Sequence, residues 1–87
     1  MPRVFIPVPM RDLTGGVAEI AVEGQTVRQA IAAADARFPG LAGRLLAGGG
    51  LAPGLALAVD GIVPPLGLLA ALRPDSELHF LPAIGGG

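Results

Sequence analysis

Few side chains in this 87-residue chain are suited to chemistry, and their spacing limits what they can do. The single histidine, His79, shares a strand face with Glu77, two positions earlier. A zinc or iron centre usually takes three or four His, Cys or carboxylate ligands. The chain has no cysteine, and two ligands do not make a site. The hydroxyls are Ser76, Thr14 and Thr26. Ser76 and His79 lie an odd number of residues apart on one strand, so they point to opposite faces, and no base is placed to activate a nucleophile. Ser76 is expected to satisfy turn backbone groups. Asp60 and Asp75 fall in turns, their commonest structural role. Gly48-Gly49-Gly50 lacks the Lys-Ser/Thr and following helix of a phosphate loop, and the chain has no lysine at all.

The reactive group that remains is at the C-terminus. In Leu81-Pro82-Ala83-Ile84-Gly85-Gly86-Gly87 all side-chain bulk disappears over the last residues. The five residues after Pro82 reach about 17 Å when extended, and residues without side chains can thread a narrow channel in a partner. The α-carboxylate at the end has a pKa of about 3.3–3.7 and is ionised at neutral pH. It is a poor electrophile. It must be activated, typically as an acyl-adenylate, before a sulfur or nitrogen nucleophile can displace the nucleotide.

Composition narrows the classes further. Apolar residues make up 52% of the chain, too many for a disordered segment. No apolar run reaches the roughly 18–20 residues of a membrane span. Met1-Pro2-Arg3-Val4-Phe5-Ile6-Pro7 is too short and proline-rich for a signal peptide. The expected location is therefore the cytoplasm, with no membrane partner. A net charge of −1 and only three aromatic residues, Phe5, Phe38 and Phe80, argue against a nucleic-acid partner. All six basic residues are arginine. Codon bias explains this, and so does an advantage for a protein whose activated C-terminus must meet no lysine amine of its own.

The elements that must position the tail follow from periodicity. Arg3 to Val8 reads as a first strand with Val4, Ile6 and Val8 on one face and Phe5 and Pro7 on the other; Pro7 marks an irregularity or an open side. After a turn at Met10 to Gly16, Val17 to Glu23 reads as a second strand with Ala18, Ile20 and Val22 inward, forming a hairpin with the first. Thr26-Val27-Arg28-Gln29 is a capping box, and Val27, Ala30, Ile31, Ala34 and Phe38 form a helical stripe that Pro39-Gly40 ends. Leu41 to Ala47 adds a short helical turn, and Gly48 to Gly54 a loop. Leu55 to Val59 is a buried strand, turning at Asp60-Gly61 into a short strand at Ile62-Val63. Leu66 to Leu72 reads as compact loop or one helical turn. Glu77 to Leu81 is the last strand, with Leu78 and Phe80 inward and His79 and Leu81 outward. This order predicts an α+β domain, one helix across a mixed sheet of four to five strands whose first and last strands can pair.

With these elements in place, the chain resembles the MoaD/ThiS family of ubiquitin-like sulfur carriers, which have the β-grasp fold. The resemblance covers essentially the whole chain. It rests on Val4-Phe5-Ile6-Pro7, Arg11-Asp12-Leu13-Thr14-Gly15-Gly16, Val59-Asp60-Gly61, Asp75-Ser76-Glu77-Leu78-His79-Phe80 and the terminal Leu81 to Gly87. It implies a β-grasp domain over residues 1–82 and a flexible tail over residues 83–87. Gly86 and Gly87 match the family's Gly-Gly, whereas Gly85 departs from it, since that place commonly holds a small residue with a side chain.

The resemblance also implies a mechanism. The chain itself is no enzyme and binds no cofactor. A partner adenylyltransferase of the ubiquitin-activating type uses ATP and magnesium to adenylate Gly87, while Ala83, Ile84, Gly85 and Gly86 thread that partner's active site. A sulfur donor then makes the thiocarboxylate, which an acceptor biosynthetic enzyme consumes. The Thr-Gly-Gly turn and Leu-Pro-Ala-Ile tail look closest to carriers for cysteine synthesis, whose acceptor is a pyridoxal-phosphate cysteine synthase; molybdopterin, thiamine and transfer-RNA thiolation stay open. The implied docking surface is the open sheet face, by strand parity Phe5, Pro7, Val63 and Leu81 with His79 beside them. The alternative is a protein modifier joined to target lysines through the same C-terminus, and a third reading is a purely structural β-grasp domain.

Overall fold

A computed structural model describes residues 1–83 of the chain. Strand β1 is Arg3–Phe5 and strand β2 is Glu19–Ala21. They pair antiparallel, with Val4 opposite Ile20. Helix α1, Val27–Arg37, follows, then the short helix α2, Leu41–Leu45. Two further pairs of residues, β3 (Leu46–Ala47) and β4 (Gly50–Leu51), close a small antiparallel ribbon. Strand β5, Leu55–Val59, and strand β6, Glu77–Pro82, complete the main sheet in the order β2-β1-β6-β5. β6 runs parallel to β1 and antiparallel to β5. This is the expected α+β arrangement, a four-stranded mixed sheet with one main helix across it.

Helix α1 forms where local chemistry puts it. The Thr26 hydroxyl accepts from the Gln29 N–H at 3.2 Å, and the Gln29 side chain accepts from the Gln25 N–H at 2.8 Å, one residue further upstream than a simple capping box requires. Val27, Ala30, Ile31 and Ala34 are its buried stripe. They meet Val4, Ile6, Ile20, Val22, Leu57, Leu78 and Phe80 from the sheet in one continuous core. The loop before the helix lies so close that a Cβ on Gly24 would stand 2.8 Å from the Ala30 nitrogen, so this position excludes a side chain. At the other end the Asp35 carboxylate accepts from the N–H groups of Gly40 and Ala42, at 3.1 and 3.0 Å, and joins α1 to the start of α2. Among the described residues no helix is long and apolar enough to cross a membrane.

Four elements differ from the sequence expectation. The first strand stops at Phe5 instead of Val8: Ile6 stays buried and donates to the Ala18 carbonyl at 2.8 Å, but residues Val8–Met10 form a 3-10 turn. Pro7 and Pro9 lack the N–H groups that a strand needs, so Val8 swings out to 69% exposure and Met10 takes the core position. The second strand is shorter too, and Ala18, expected inward, is exposed while Ile20 and Val22 are buried. The Gly48 to Gly54 loop contains strand β4, which folds back to pair with β3 just before the loop. Ile62-Val63 is no strand: Val59 and Ile62 exchange hydrogen bonds at 2.8 and 3.0 Å around the Asp60-Gly61 turn, and Pro64-Pro65 offer no further donors. The compact stretch before the last strand contains one 3-10 turn, Gly67–Leu69, held to α1 by Val27 N–H donating to the Ala70 carbonyl.

Ile31 is fully buried under the sheet. Ile31→Ala is predicted to cost about 2–5 kcal/mol and Thr26→Ala about 1 kcal/mol, as read by urea unfolding; equal costs would refute the assignment of Ile31 to the core.

Candidate functional site

The site grows from the last strand. β6 is held on both sides, so alternation sorts its residues without ambiguity. Leu78 and Phe80 enter the core, and Glu77, His79 and Leu81 lie on the face that no helix covers. Neighbouring strands extend this face. The Arg3 guanidinium lies 3.6 Å from Glu19 and 3.7 Å from Glu77. Glu77 in turn meets the His79 Nε2 at 3.1 Å, and the His79 ring stacks on Phe5 with centroids 4.1 Å apart and planes 15° from parallel. Each of these ion pairs is exposed and worth at most about 1 kcal/mol. Their effect is to hold the side chains in one row across three strands.

The face changes character along its length. Arg3 and Glu77 occupy the end where β1 and β6 begin, and Phe5, His79 and Leu81 the end where they finish; Glu19 stands opposite Phe5 and reaches back to Arg3. Beyond Leu81 the surface continues into an apolar groove of about 470 Å³ between the Pro7–Met10 corner and the end of the β5–β6 hairpin. The chain leaves the sheet at the rim of this groove. Ala83 still donates its N–H to the Gly54 carbonyl at 2.9 Å, so the root of the tail has a defined position beside apolar surface.

Of the residues expected at the docking surface, Phe5 and His79 are in contact, and Pro7 and Leu81 line the same groove. Val63 is not brought to them. It is 70% exposed and follows the Asp60-Gly61 turn, which is tied to Glu77 at the opposite end of β6. Of the tail residues, Ala83 is described, and Ile84, Gly85, Gly86 and Gly87 lie outside the described residues. Sequence reasoning missed the groove residues Val8, Pro9 and Leu55; the alternation of proline with apolar residues at Pro7-Val8-Pro9 was the available signal.

A polar clamp sets where β6 starts. Asp60 accepts from the Glu77 N–H and from the Ser76 hydroxyl, both at 2.9 Å, and Ser76 accepts from the Arg73 N–H at 2.9 Å. The Arg73 guanidinium stands 3.5 Å from the same carboxylate. Ser76, only 1% exposed, is thus fully satisfied, the turn role expected of it. The Glu77 N–H, then the Ser76 hydroxyl, and to a smaller degree Arg73, hold the Asp60 carboxyl below the ordinary carboxylate range against a small opposing effect of burial. Among the described residues no three His, Cys, Asp or Glu side chains cluster as metal ligands.

A mixed sheet gripping one helix, with the last strand between β1 and β5 and one sheet face left open, is the ubiquitin-like β-grasp fold. The ThiS family model matches residues 4–87, and the chain belongs to the ThiS family. Its structure is similar to a chain of the Amycolatopsis orientalis BexX/CysO complex, at 29% identity over all of both chains with a TM-score of 0.89. It is similar also to Mycobacterium tuberculosis CysO, at 26% identity over 97% of this chain and all of that one, with a TM-score of 0.89. SAMP1 from Haloferax volcanii, 22% identical over 99% of this chain and 98% of its own, shares the fold with a TM-score of 0.71. Comparison with curated protein sequences gives no match.

The clamp makes a pH prediction. A carboxyl whose folded pKa is lowered adds stability above its unfolded pKa, about 3.9 for aspartate, and that stability is lost as pH falls through the folded value. Wild type minus Asp60→Asn should therefore show a stability difference in thermal melts at neutral pH that shrinks below about pH 4. A difference that stays constant down to strongly acidic pH would remove the carboxylate from this role.

Proposed function

We propose that this chain is a sulfur carrier whose Gly87 carboxylate is adenylated by a partner of the ubiquitin-activating type, with ATP and magnesium, and converted to a thiocarboxylate. The observation that carries the reading is the family match, which runs from the first strand through the terminal Gly-Gly. The whole-length likeness to CysO structures supports delivery of the sulfur to cysteine synthesis. The chemistry fits the chain. A carboxylate needs an activating partner before sulfur can replace its oxygen, and the domain supplies a recognisable body for that partner to hold. Phe5, His79, Pro7 and Leu81 form the docking patch, and residues 83–87 are the tail that enters the partner's active site. Val63, absent from the stacked pair and from the groove lining, is a weaker candidate for the same contact. The 29% identity to a chain crystallised in the BexX/CysO complex adds support for a carrier that works by docking onto enzymes.

Incubation with the activating partner, ATP and a sulfide source should raise the mass by about 16 Da, oxygen exchanged for sulfur at the activated carboxyl. No gain with a competent partner would overturn the carrier reading, and higher-mass adducts on other proteins would favour a modifier. Leu81 is 48% exposed, so Leu81→Glu should change stability by no more than about 0.5 kcal/mol while slowing this mass gain at least several-fold. An unchanged rate would place docking elsewhere.

A further inference from the structure

Once a C-terminal acyl group is activated, any accessible amine, thiol or hydroxyl competes for it. The 87 residues contain no lysine and no cysteine. The structure disposes of the remaining side-chain nucleophiles one by one. Ser76 is 1% exposed, and its hydroxyl donates to Asp60 and accepts from the Arg73 N–H. Thr14 is buried, its hydroxyl 2.8 Å from the Val17 carbonyl and 3.2 Å from that of Arg11. Thr26 is occupied as the cap of α1. The His79 ring is held between Phe5 and Glu77, and an acyl-imidazole is itself an activated acyl group that passes on to water, so it stores no adduct.

The cations that make the surface soluble are all guanidinium groups. Arginine's pKa of about 13.8 against about 10.4 for lysine leaves roughly a thousandfold less free base at any working pH. Arg3, Arg44 and Arg73 keep their ion pairs with Glu19 and Glu77, Asp12 and Asp60 without offering a nucleophile.

We infer that the side chains of this chain are donor-only: none of them captures the acyl group activated on a second copy. The inference rests on the proposed activation at Gly87 and adds that no side chain of a second copy discharges the carrier. The reaction it excludes is aminolysis. An amine nitrogen forms a bond to the acyl carbon, the bond from that carbon to the leaving group breaks, the leaving group departs with the electron pair, and the proton goes to water.

The test needs no activating partner. The C-terminal thioester of the full chain, released from an intein fusion with a small thiol, is incubated at high concentration at pH 8. Tandem mass spectrometry then counts side-chain conjugates between copies. Arg28→Lys and Arg73→Lys are run in parallel, since Arg28 makes only a long 3.4 Å contact to the Gly49 carbonyl and the Arg73 side chain is 75% exposed. The parent should hydrolyse with no detectable side-chain conjugation, and each introduced lysine should conjugate on the order of a thousandfold more than the arginine it replaces, following the free-base fractions. Excess free lysine taken up equally by all forms shows the electrophile to be live. Side-chain conjugates of the parent at the variants' level, or none in either variant, would overturn the inference. Failure of enzymatic adenylation would instead sink the carrier reading and leave this result standing.

Discussion

Val4 and Leu78 face each other across the parallel pair β1–β6, and both are fully buried. Joining the first and last strands of a chain closes the longest loop it has, an entropic cost that rises slowly with loop length. Apolar burial offsets it. Val4 and Leu78 occupy the middle of the sheet, where Ile6, Ile20, Leu57 and Phe80 surround them and Val27, Ile31 and Ala34 of α1 close over the top. β6 lies between β1 and β5: it pairs with β1 at Glu77 and Leu78 and with β5 from Leu78 to Pro82. The last strand is thus held by β5 as far as Pro82, and Ala83 beyond it still donates to the Gly54 carbonyl.

That placement produces the division between the two faces. The side of the sheet under α1 supplies the stability. The other side is free to carry a graded surface, charged where β1 and β6 begin and apolar where the chain leaves. The ion pairs on it contribute little free energy at their exposure. They orient Glu77 and His79, and so Phe5, in one row, and an ordered row loses less entropy when a partner covers it. The Asp60–Ser76–Arg73 clamp works at the far end of the same strand, setting the residue at which β6 begins. A slip of one residue there would turn Leu81 and His79 inward and Phe80 outward.

Helix α1 was legible because its signals are local: a cap three residues from its partner, an apolar stripe, and a Pro-Gly stop. The alternation of β6 was legible for the same reason, since two-residue periodicity needs no knowledge of neighbours. Reading Val8 inward failed where periodicity meets proline. Alternation assigns a side to each residue only while the strand continues, and two residues without N–H groups ended it at Phe5. Ile62 and Val63 misled in a similar way, since apolar character suggested a strand that had no backbone partner beyond one bridge.

The sequence by itself determined which residue types are at hand: glycine at positions 85–87, a single histidine, no thiol and no lysine. These are properties of residue type and survive any folding. The tertiary structure alone decided which surface lies beside Ala83, at the root of those glycines. Phe5 and His79 come from opposite ends of the chain, as do Pro7 and Leu81, and they meet because β1 and β6 pair in one register. Val63, apolar and near them by parity, is 70% exposed and belongs neither to the stacked pair nor to the groove lining. Contacts between distant segments depend on which strands pair and in what register, and that is settled by burial summed over the whole core, which no local pattern carries.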